Sequence, residues 1–348
     1  MRLDAIRSLY DHAGQAFASV YLDTCRVGAE GVARRWRRLS PRLRDAGGDP
    51  STVAAIGDLL ASDAGSAGSA PGRALFAAGG EVLLDEPLPG PPRRELARWS
   101  PLPHVTPMLA QRGESVPHLR VLIDDRGTDV VVVRASAQGR ALPGVAPGGW
   151  SRHRYEPGVA DSWEGNAGTV AKRVNAEVRR IGAELVVVAG EPQARAVLCE
   201  HLGTQATDRV VMVDHDGRAR GADRGPMEKG VQAAVDDWVG QRRAELIEYY
   251  GEGPSATGLA ETVRCLRRGQ VDVLLLAGDP TAEALMWVGR EGGQLALDRA
   301  ELTGRGIAEP GRERADAALA RAVAVTDAEL WFVERAALGT DAAALLRF

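Results

Sequence analysis

The sequence predicts an α/β protein of several domains, and three observations lead to this prediction. The chain has 348 residues, whereas single hydrophobic cores stop growing at roughly 250–300 residues. Short apolar runs typical of strands alternate with longer segments of helical periodicity. No apolar run approaches the ~20 residues that span a bilayer, so we expect a soluble, cytoplasmic protein that does not enter a membrane. We place the domains at residues 1–114, 115–225 and 226–348.

The first domain opens with a strand and a helix. Phe17–Asp23 alternates like a half-buried strand, and 29–46 has helical periodicity. A hairpin is expected around Gly79-Gly80, between apolar runs that start at Arg73 and Glu81. Two proline-rich runs, Pro87–Pro92 and Pro101–Pro117, are interpreted as a bridge to the next domain.

The predicted helix of the first domain is unusually basic. Its arginines flank a single tryptophan, Trp36, and include Arg34, Arg35, Arg37 and Arg38. Only two of the chain's 43 basic residues are lysines, a bias that a GC-rich genome explains, so arginine content alone does not indicate RNA. Two interpretations stay open: a helix that contacts phosphates, or a solvated helix whose Trp36 and Leu39 face the core.

The central domain is predicted to be a mixed-sheet α/β domain with one long loop. Its predicted strands and helices are 119–123, 129–134, 169–181, 184–189, 192–201 and 210–213. The loop between the second strand and the first helix has about 30 residues, a length that is usually functional. We predict that it binds RNA, since a tryptophan can stack on a base and arginines can pair with phosphates. The candidate residues are Gly148, Gly149, Trp150, Ser151, Arg152, His153 and Arg154.

The last domain is predicted to be a small α/β sandwich. It starts with a long helix at 227–250 and continues with helices near 258–268, 281–288 and 312–323 and strands at 271–276 and 330–333. Residues 226–348 hold 20 acidic and 14 basic residues. The first two domains are therefore near neutral and free to carry local basic surfaces.

Disulfides, metals and cofactors are not expected. Cys25, Cys199 and Cys265 are far apart in apolar or helical runs, which is typical of buried thiols. The histidines lack the spacing of metal ligands. The segment Asp214-His215-Asp216-Gly217 is better explained as a turn than as a metal site.

Enzyme motifs are sparse. Gly278-Asp279-Pro280 follows a predicted strand but lacks the further glycines and the lysine of a phosphate-binding loop. Gly292-Gly293-Gln294 is interpreted as a turn between a helix and a strand. We therefore expect a protein that binds without catalysis.

The motif Gly148-Gly149-Trp150-Ser151-Arg152-His153-Arg154-Tyr155 resembles a known one. Release factors of the archaeal and eukaryotic type carry Gly-Gly-Gln-Ser-x-x-Arg-Phe in such a loop. The order of elements around it is similar to the second and third domains of the Pelota and archaeo-eukaryotic release factor superfamily. The bacterial branch, which includes the ribosome-hibernation factor Balon and its actinobacterial relatives, is more similar still. The segments that carry this resemblance are 19–24, 99–107, 148–151, 163–166 and 189–191.

The resemblance implies an RNase H-like central domain followed by an α/β sandwich. It implies a monomer that enters the ribosomal A site, with its first domain near the decoding centre and its second near the peptidyl-transferase centre. The partners would be ribosomal RNA and elongation factor Tu, with no DNA. Trp150 stands where release factors have the glutamine that coordinates hydrolysis, so binding without hydrolysis is expected. Hibernation is the favoured role; the alternatives are Pelota-like rescue of stalled ribosomes and peptidyl-tRNA hydrolysis, which would need Gln294.

Overall fold

A computed structural model describes residues 1–12, 14–25, 28–62, 70–114, 116–124, 127–133, 151–155, 163–213, 225–278 and 284–348. They form two compact units. The first contains Met1–Glu114 and Glu245–Phe348, and the second contains the described residues from 116 to 244. The predicted α/β class is confirmed, whereas the three domain boundaries stay predictions. In the described ranges, no helix is long and apolar enough to cross a membrane.

The N-terminal part of the first unit is a four-stranded antiparallel sheet of order β3-β2-β1-β4. Its predicted hairpin is confirmed: Gly79 and Gly80 have φ values of 59° and 85°, which a tight two-residue turn requires. The second proline-rich run is not merely a bridge, because it contains helix α4, and strand β4 lies between the two runs. The elements are α1 (Asp4–Arg7), a 3-10 turn (Ser8–Asp11), β1 (Phe17–Asp23), α2 (Ala29–Asp45), α3 (Pro50–Ser62), β2 (Gly72–Ala78), β3 (Glu81–Leu88), β4 (Leu96–Ser100) and α4 (Thr106–Arg112).

Both faces of this sheet are covered. Val20 and Leu22 of β1 pack with α2 and α3 on one face. On the other face, Tyr21 meets the ring of Phe76 edge-on at 6.0 Å between centroids and belongs to a core shared with the C-terminal residues. The Tyr21 hydroxyl donates to the His104 carbonyl at 2.6 Å. Alternation along β1 therefore joins α2 to one core and the C-terminal segment to another.

The second unit is built on a five-stranded mixed sheet of order β7-β6-β5-β8-β9. β5, β6 and β7 pair antiparallel, and β5, β8 and β9 pair parallel. Helices α5 and α6 contribute to the core on one face, and α8 contributes Val231 and Val235 to the core on the other. The elements are β5 (His118–Asp124), β6 (Gly127–Val133), β7 (Ser151–Tyr155), α5 (Trp163–Ile181), β8 (Leu185–Gly190), α6 (Pro192–His201), α7 (Thr204–Thr207), β9 (Val210–Val213) and α8 (Gly225–Glu252).

The C-terminal part of the first unit has two small sheets, of order β10-β16-β11-β15 and β13-β12-β14. The helix predicted at 281–288 is wrong over its described part, since residues 281–283 lie outside the described ranges. Leu285–Val288 is strand β12, in which buried Met286 and Val288 alternate with more exposed neighbours. The predicted helix at 312–323 starts later. The elements are β10 (Ser255–Thr257), α9 (Leu259–Arg267), β11 (Val271–Ala277), β12 (Leu285–Val288), β13 (Leu295–Ala296), α10 (Arg299–Thr303), β14 (Gly311–Arg314), α11 (Ala315–Thr326), β15 (Glu329–Val333), α12 (Arg335–Leu338) and β16 (Ala342–Leu346).

Candidate nucleic-acid interface

Helix α2 presents a basic surface because its large apolar residues lie on the opposite side. Val32, Leu39 and Leu43 are buried in the core beneath it. Trp36 packs against the same core, and a Cβ on Gly57 of α3 would lie 3.0 Å from its indole nitrogen. Trp36 therefore anchors α2 to α3, and the interpretation that it faces the core is confirmed. The tryptophan of this helix is not free to stack on a base.

Two of the predicted arginines make ion pairs within the fold. Arg35 Nη1 lies 3.1 Å from Asp23 Oδ1, and Arg35 Nε lies 3.5 Å from Glu95 Oε1. Arg38 bonds to the other oxygen of Glu95. Asp23 ends β1 and Glu95 precedes β4, so these two arginines hold α2 against the sheet. Arg35 is half-buried, whereas Arg38 remains largely exposed beside its partner.

Exposed arginines on the outward side form what we call the basic face of α2: Arg34, Arg37, Arg38, Arg42 and Arg44. Arg34, Arg38 and Arg42 recur every fourth residue, so they follow one ridge of the helix. Apart from that of Arg38, none of the five guanidinium groups has an ion pair or hydrogen bond within the part of the chain that the structure describes. Four charged groups are therefore available to an external anion.

Two further arginines extend the basic face. Arg93 and Arg94 are exposed and immediately precede Glu95, whose carboxylate is bonded to Arg38. Consecutive Cα atoms are 3.8 Å apart, so the chain places these guanidinium groups beside α2. Sequence analysis missed them because they lie about 50 residues from α2, and β4 pairing with β1 brings them there.

The other predicted RNA-binding segment lies in the second unit. Gly148, Gly149 and Trp150 are outside the described residues. Ser151, Arg152, His153 and Arg154 were predicted as loop, but their backbone forms edge strand β7, paired with Val132, Val131, Val130 and Asp129 of β6. The motif therefore leads directly into a strand of the central sheet. An arginine-rich edge strand lacks the apolar alternation that identifies a strand in a sequence.

A network of hydrogen bonds joins the central strand β5 to helix α8 in the second unit. His118 Nδ1 donates to the Val116 carbonyl at 2.8 Å, and Arg120 Nε donates to His118 Nε2 at 3.1 Å. Burial and then the Arg120 charge lower the pKa of His118 to about 4, against a hydrogen bond to Val116 that raises it, so its ring is neutral and can accept this bond. Arg120 also bonds Glu228 of α8 at 2.8 Å. These residues join β5 to α8, and sequence analysis did not identify them.

The described residues contain no group of three or more histidine, cysteine, aspartate or glutamate residues placed to hold a metal. Asp214-His215-Asp216-Gly217 lies outside those residues. The cysteines are free and half-buried, so the expectation of fully buried thiols is wrong. Burial raises the pKa of Cys199 above its ordinary value, which lowers its reactivity.

Gln294 is bound within its own turn. The turn joins strands β12 and β13, rather than the predicted helix and strand. The Gln294 side chain donates to Glu291 Oε2 at 3.0 Å and accepts from the Glu291 amide at 3.2 Å. The backbone carbonyl of Gln294 accepts from the Gly289 amide at 2.7 Å. Both ends of the side chain therefore stabilise the hairpin.

Comparison with known proteins assigns the second unit to a family. Residues 117–254 match the model of bacterial archaeo-eukaryotic release factor family 2. An uncharacterized protein of Mycobacterium tuberculosis strain H37Rv, Rv2629, is 27% identical over 95% of this chain and 92% of its own length. Over residues 117–254 the chain is therefore similar to the bacterial branch of the archaeo-eukaryotic release factor superfamily, as the motif after Gly148 predicts.

The chain also matches solved structures, each at low sequence identity and with a TM-score of 0.40 or less. The archaeal termination factor aRF1 is 15% identical, with a TM-score of 0.25 over 99% of this chain and 96% of that chain. Pelota from Archaeoglobus fulgidus is 19% identical, with a TM-score of 0.34 over 79% of each chain. Archaeal Pelota in a ribosome-bound model with ABCE1 is 19% identical, with a TM-score of 0.40 over 79% of this chain and 78% of that one. The family assignment rests on the sequence match.

Proposed function

We propose that this protein is a cytoplasmic, monomeric translation factor that occupies the ribosomal A site without hydrolysing peptidyl-tRNA, and that it protects idle ribosomes. The observation that supports this most strongly is the family match over 117–254, combined with Trp150 at the position of the release-factor glutamine. A relative of termination factors that lacks the termination residue is suited to binding without release.

The chemistry of Trp150 supports the loss of hydrolysis. Indole has one N–H donor and no side-chain acceptor, so it cannot orient a water through a carbonyl as an amide can. Removal of a positioned polar group from such a site costs orders of magnitude in rate. Stacking of an aromatic ring on a nucleobase contributes about 1–3 kcal/mol to binding. Trp150 therefore suits a contact with RNA at the peptidyl-transferase centre.

The basic face of α2 suits contacts with ribosomal RNA phosphates at the decoding centre. Phosphate contacts by arginine provide affinity that is independent of RNA sequence and position the protein on its target. Four unpaired guanidinium groups on one helix, with Arg93 and Arg94 beside them, provide such contacts near the decoding centre. Elongation factor Tu is proposed as a neighbour on the family resemblance alone.

Cosedimentation with vacant 70S ribosomes tests the proposal. We expect binding at low salt that weakens at moderate salt, and weaker binding when Trp150, Arg152 and Arg154 are replaced by Ala. The matched control replaces Lys172 and Arg179, which are exposed on α5 of the same unit, and should bind as the wild type does. Failure to bind vacant or stalled ribosomes would remove the proposed function and leave the fold unchanged.

Two further experiments, binding to stalled ribosomes and an assay of peptide release, distinguish the alternative roles. Tighter binding to ribosomes stalled on a truncated message than to vacant ribosomes would favour Pelota-like rescue. Release of peptide from peptidyl-tRNA on the ribosome would favour a hydrolase, and loss of that release in Gln294→Ala would assign it to Gln294. We expect no release of peptide by Gln294, because its side chain is bonded to Glu291 within its turn.

A further inference from the structure

Helix α11 is buried from Ala315 to Ala324, although it carries two charged residues, Asp316 and Arg321. Asp316 has partners: its carboxylate accepts from Thr106 at 2.8 Å, contacts His104 at 3.1 Å and accepts from Arg314 at 3.0 Å. Arg321 is different. It is 5% exposed, and no carboxylate of the described residues lies within 4.0 Å of its guanidinium group.

Only one of the three guanidinium nitrogens of Arg321, Nη1, makes hydrogen bonds within the described residues. Nη1 donates to the carbonyls of Gly289 at 2.9 Å and Arg290 at 3.3 Å. Nε and Nη2 are buried and have no hydrogen-bond partner among the described residues. These two nitrogens form the edge of a guanidinium group that binds an oxyanion in bidentate fashion. The bonds of Nη1 hold the side chain in place and leave that edge free.

Arg321 lines a cavity of about 260 Å³ within the first unit. Tyr10 lines the same cavity, and its buried hydroxyl also lacks a hydrogen-bond partner. Phe17, Leu102 and Val288 supply apolar walls. Polar residues complete the lining: His12, Gln15, Arg290 and Glu309. The cavity therefore combines apolar walls with a few polar residues, two of which carry the unused donors, and this is the usual composition of a small-molecule site.

The charges of these groups suit an anion at neutral pH. Burial lowers the pKa of Arg321 to about 10, so the guanidinium group stays positive. Burial raises the pKa of Tyr10 above its ordinary value, so its hydroxyl stays protonated and can donate. A buried cation without a counter-ion is costly, and a bound anion with matching acceptors removes that cost.

We propose that this cavity binds a small molecule through an oxyanion, a phosphate or a carboxylate. Nε and Nη2 of Arg321 hold two of its oxygens, and the Tyr10 hydroxyl donates a third hydrogen bond. The apolar walls contact the uncharged remainder of the ligand. The site is independent of the basic face of α2 and of the motif after Gly148.

Calorimetric titration of the full-length protein at constant ionic strength tests the site. The probes are inorganic phosphate and benzoate, with benzamide as an uncharged control of the same shape and chloride as a simple anion. We expect at least one oxyanion probe to bind more tightly than benzamide and chloride. Tyr10→Phe keeps the ring and removes one donor, and it should weaken that binding about tenfold or more.

Arg321→Lys keeps the charge and removes the bidentate edge, and it should also weaken binding at least tenfold. If this variant does not fold, Tyr10→Phe alone decides. Replacement of Arg305 by Ala, an exposed arginine that does not line the cavity, is the control for anion binding at the surface and should change the affinity little. No binding of either oxyanion to the wild type, or equal affinity in Tyr10→Phe, would overturn the proposal.

Discussion

Neutralising the basic face of α2 should change how ribosome binding depends on salt. The variant replaces Arg34, Arg37 and Arg42 with Gln and leaves Arg35 and Arg38, which pair with Asp23 and Glu95. Each lost phosphate contact lowers the slope of log K against log salt by about 0.7–0.9, so three contacts lower it by about 2–3. Over a fourfold range of salt, a slope change of about 2 corresponds to a difference of about 16-fold in affinity loss.

The assay is cosedimentation with vacant 70S ribosomes over a series of potassium chloride concentrations. The variant should bind more weakly than the wild type at low salt, and the two should converge as salt rises. Its thermal stability should change little, because exposed unpaired side chains contribute within about 0.5 kcal/mol. That expectation separates a binding effect from a folding effect.

A matched control removes the same three charges elsewhere. Arg268, Arg305 and Arg312 are exposed in the C-terminal segment, and their replacement by Gln should leave both the affinity and the salt slope near wild-type values. If the control lost as much affinity as the variant, net charge would be responsible rather than the basic face. If the variant kept the wild-type slope, α2 would not contact phosphates and the reasoning would be refuted.

Three more predictions concern stability and catalysis. Burial raises the pKa of Glu86 from 4.5 to about 8, against the charge of Arg112, which lowers it. The folded state therefore keeps a proton that the unfolded chain releases above pH 4.5, so stability should fall as pH rises from 4.5 to 8. Urea denaturation should show that Glu86→Gln removes this pH dependence. Burial by itself raises the pKa of Asp316, but the hydrogen bonds and charges of His104 and Arg314 lower it to about 2. The contribution of Asp316 to the free energy of unfolding, about 2 kcal/mol, is therefore present above pH 4 and should be lost as pH falls to 2. Acid melts of Asp316→Asn should not show this loss. Gln294→Ala should not change peptide release on the ribosome, and it should lower the melting temperature slightly because the turn loses its bonds to Glu291.

Most strands and helices could be predicted because their apolar residues repeat with a clear period. β1, the helix at Pro192–His201 and the strand at Val210–Val213 have the predicted bounds. β7 could not be predicted, because Ser151–Tyr155 has no apolar alternation and is held by backbone pairing with β6. The helix predicted at 281–288 failed because four residues with period two are too few to separate a strand from a helical turn.

The candidate site could be predicted only in part, for a different reason. The sequence shows six arginines in α2 but not which of them have acidic partners. Asp23 and Glu95 reach Arg35 and Arg38 through the pairing of β1 with β4, and neither acid is near in sequence to the arginine it neutralises. Trp36 likewise gained its role from Gly57 of α3. Long-range pairing therefore decided which residues of the helix are free for a partner.

The same long-range packing links the basic face of α2 to the cavity at Arg321. Tyr21 on one side of β1 shares a core with the alanines of α11, and Val20 on the other side packs against the core beneath α2. A ligand that binds the folded unit and not the unfolded chain stabilises it by about 2.7 kcal/mol at 100 times its Kd. Because the cavity and α2 belong to one compact unit, an oxyanion bound at Arg321 stabilises the part of the chain that presents the arginines. Ligand binding should therefore raise the unfolding temperature of the first unit without changing the salt slope of ribosome binding.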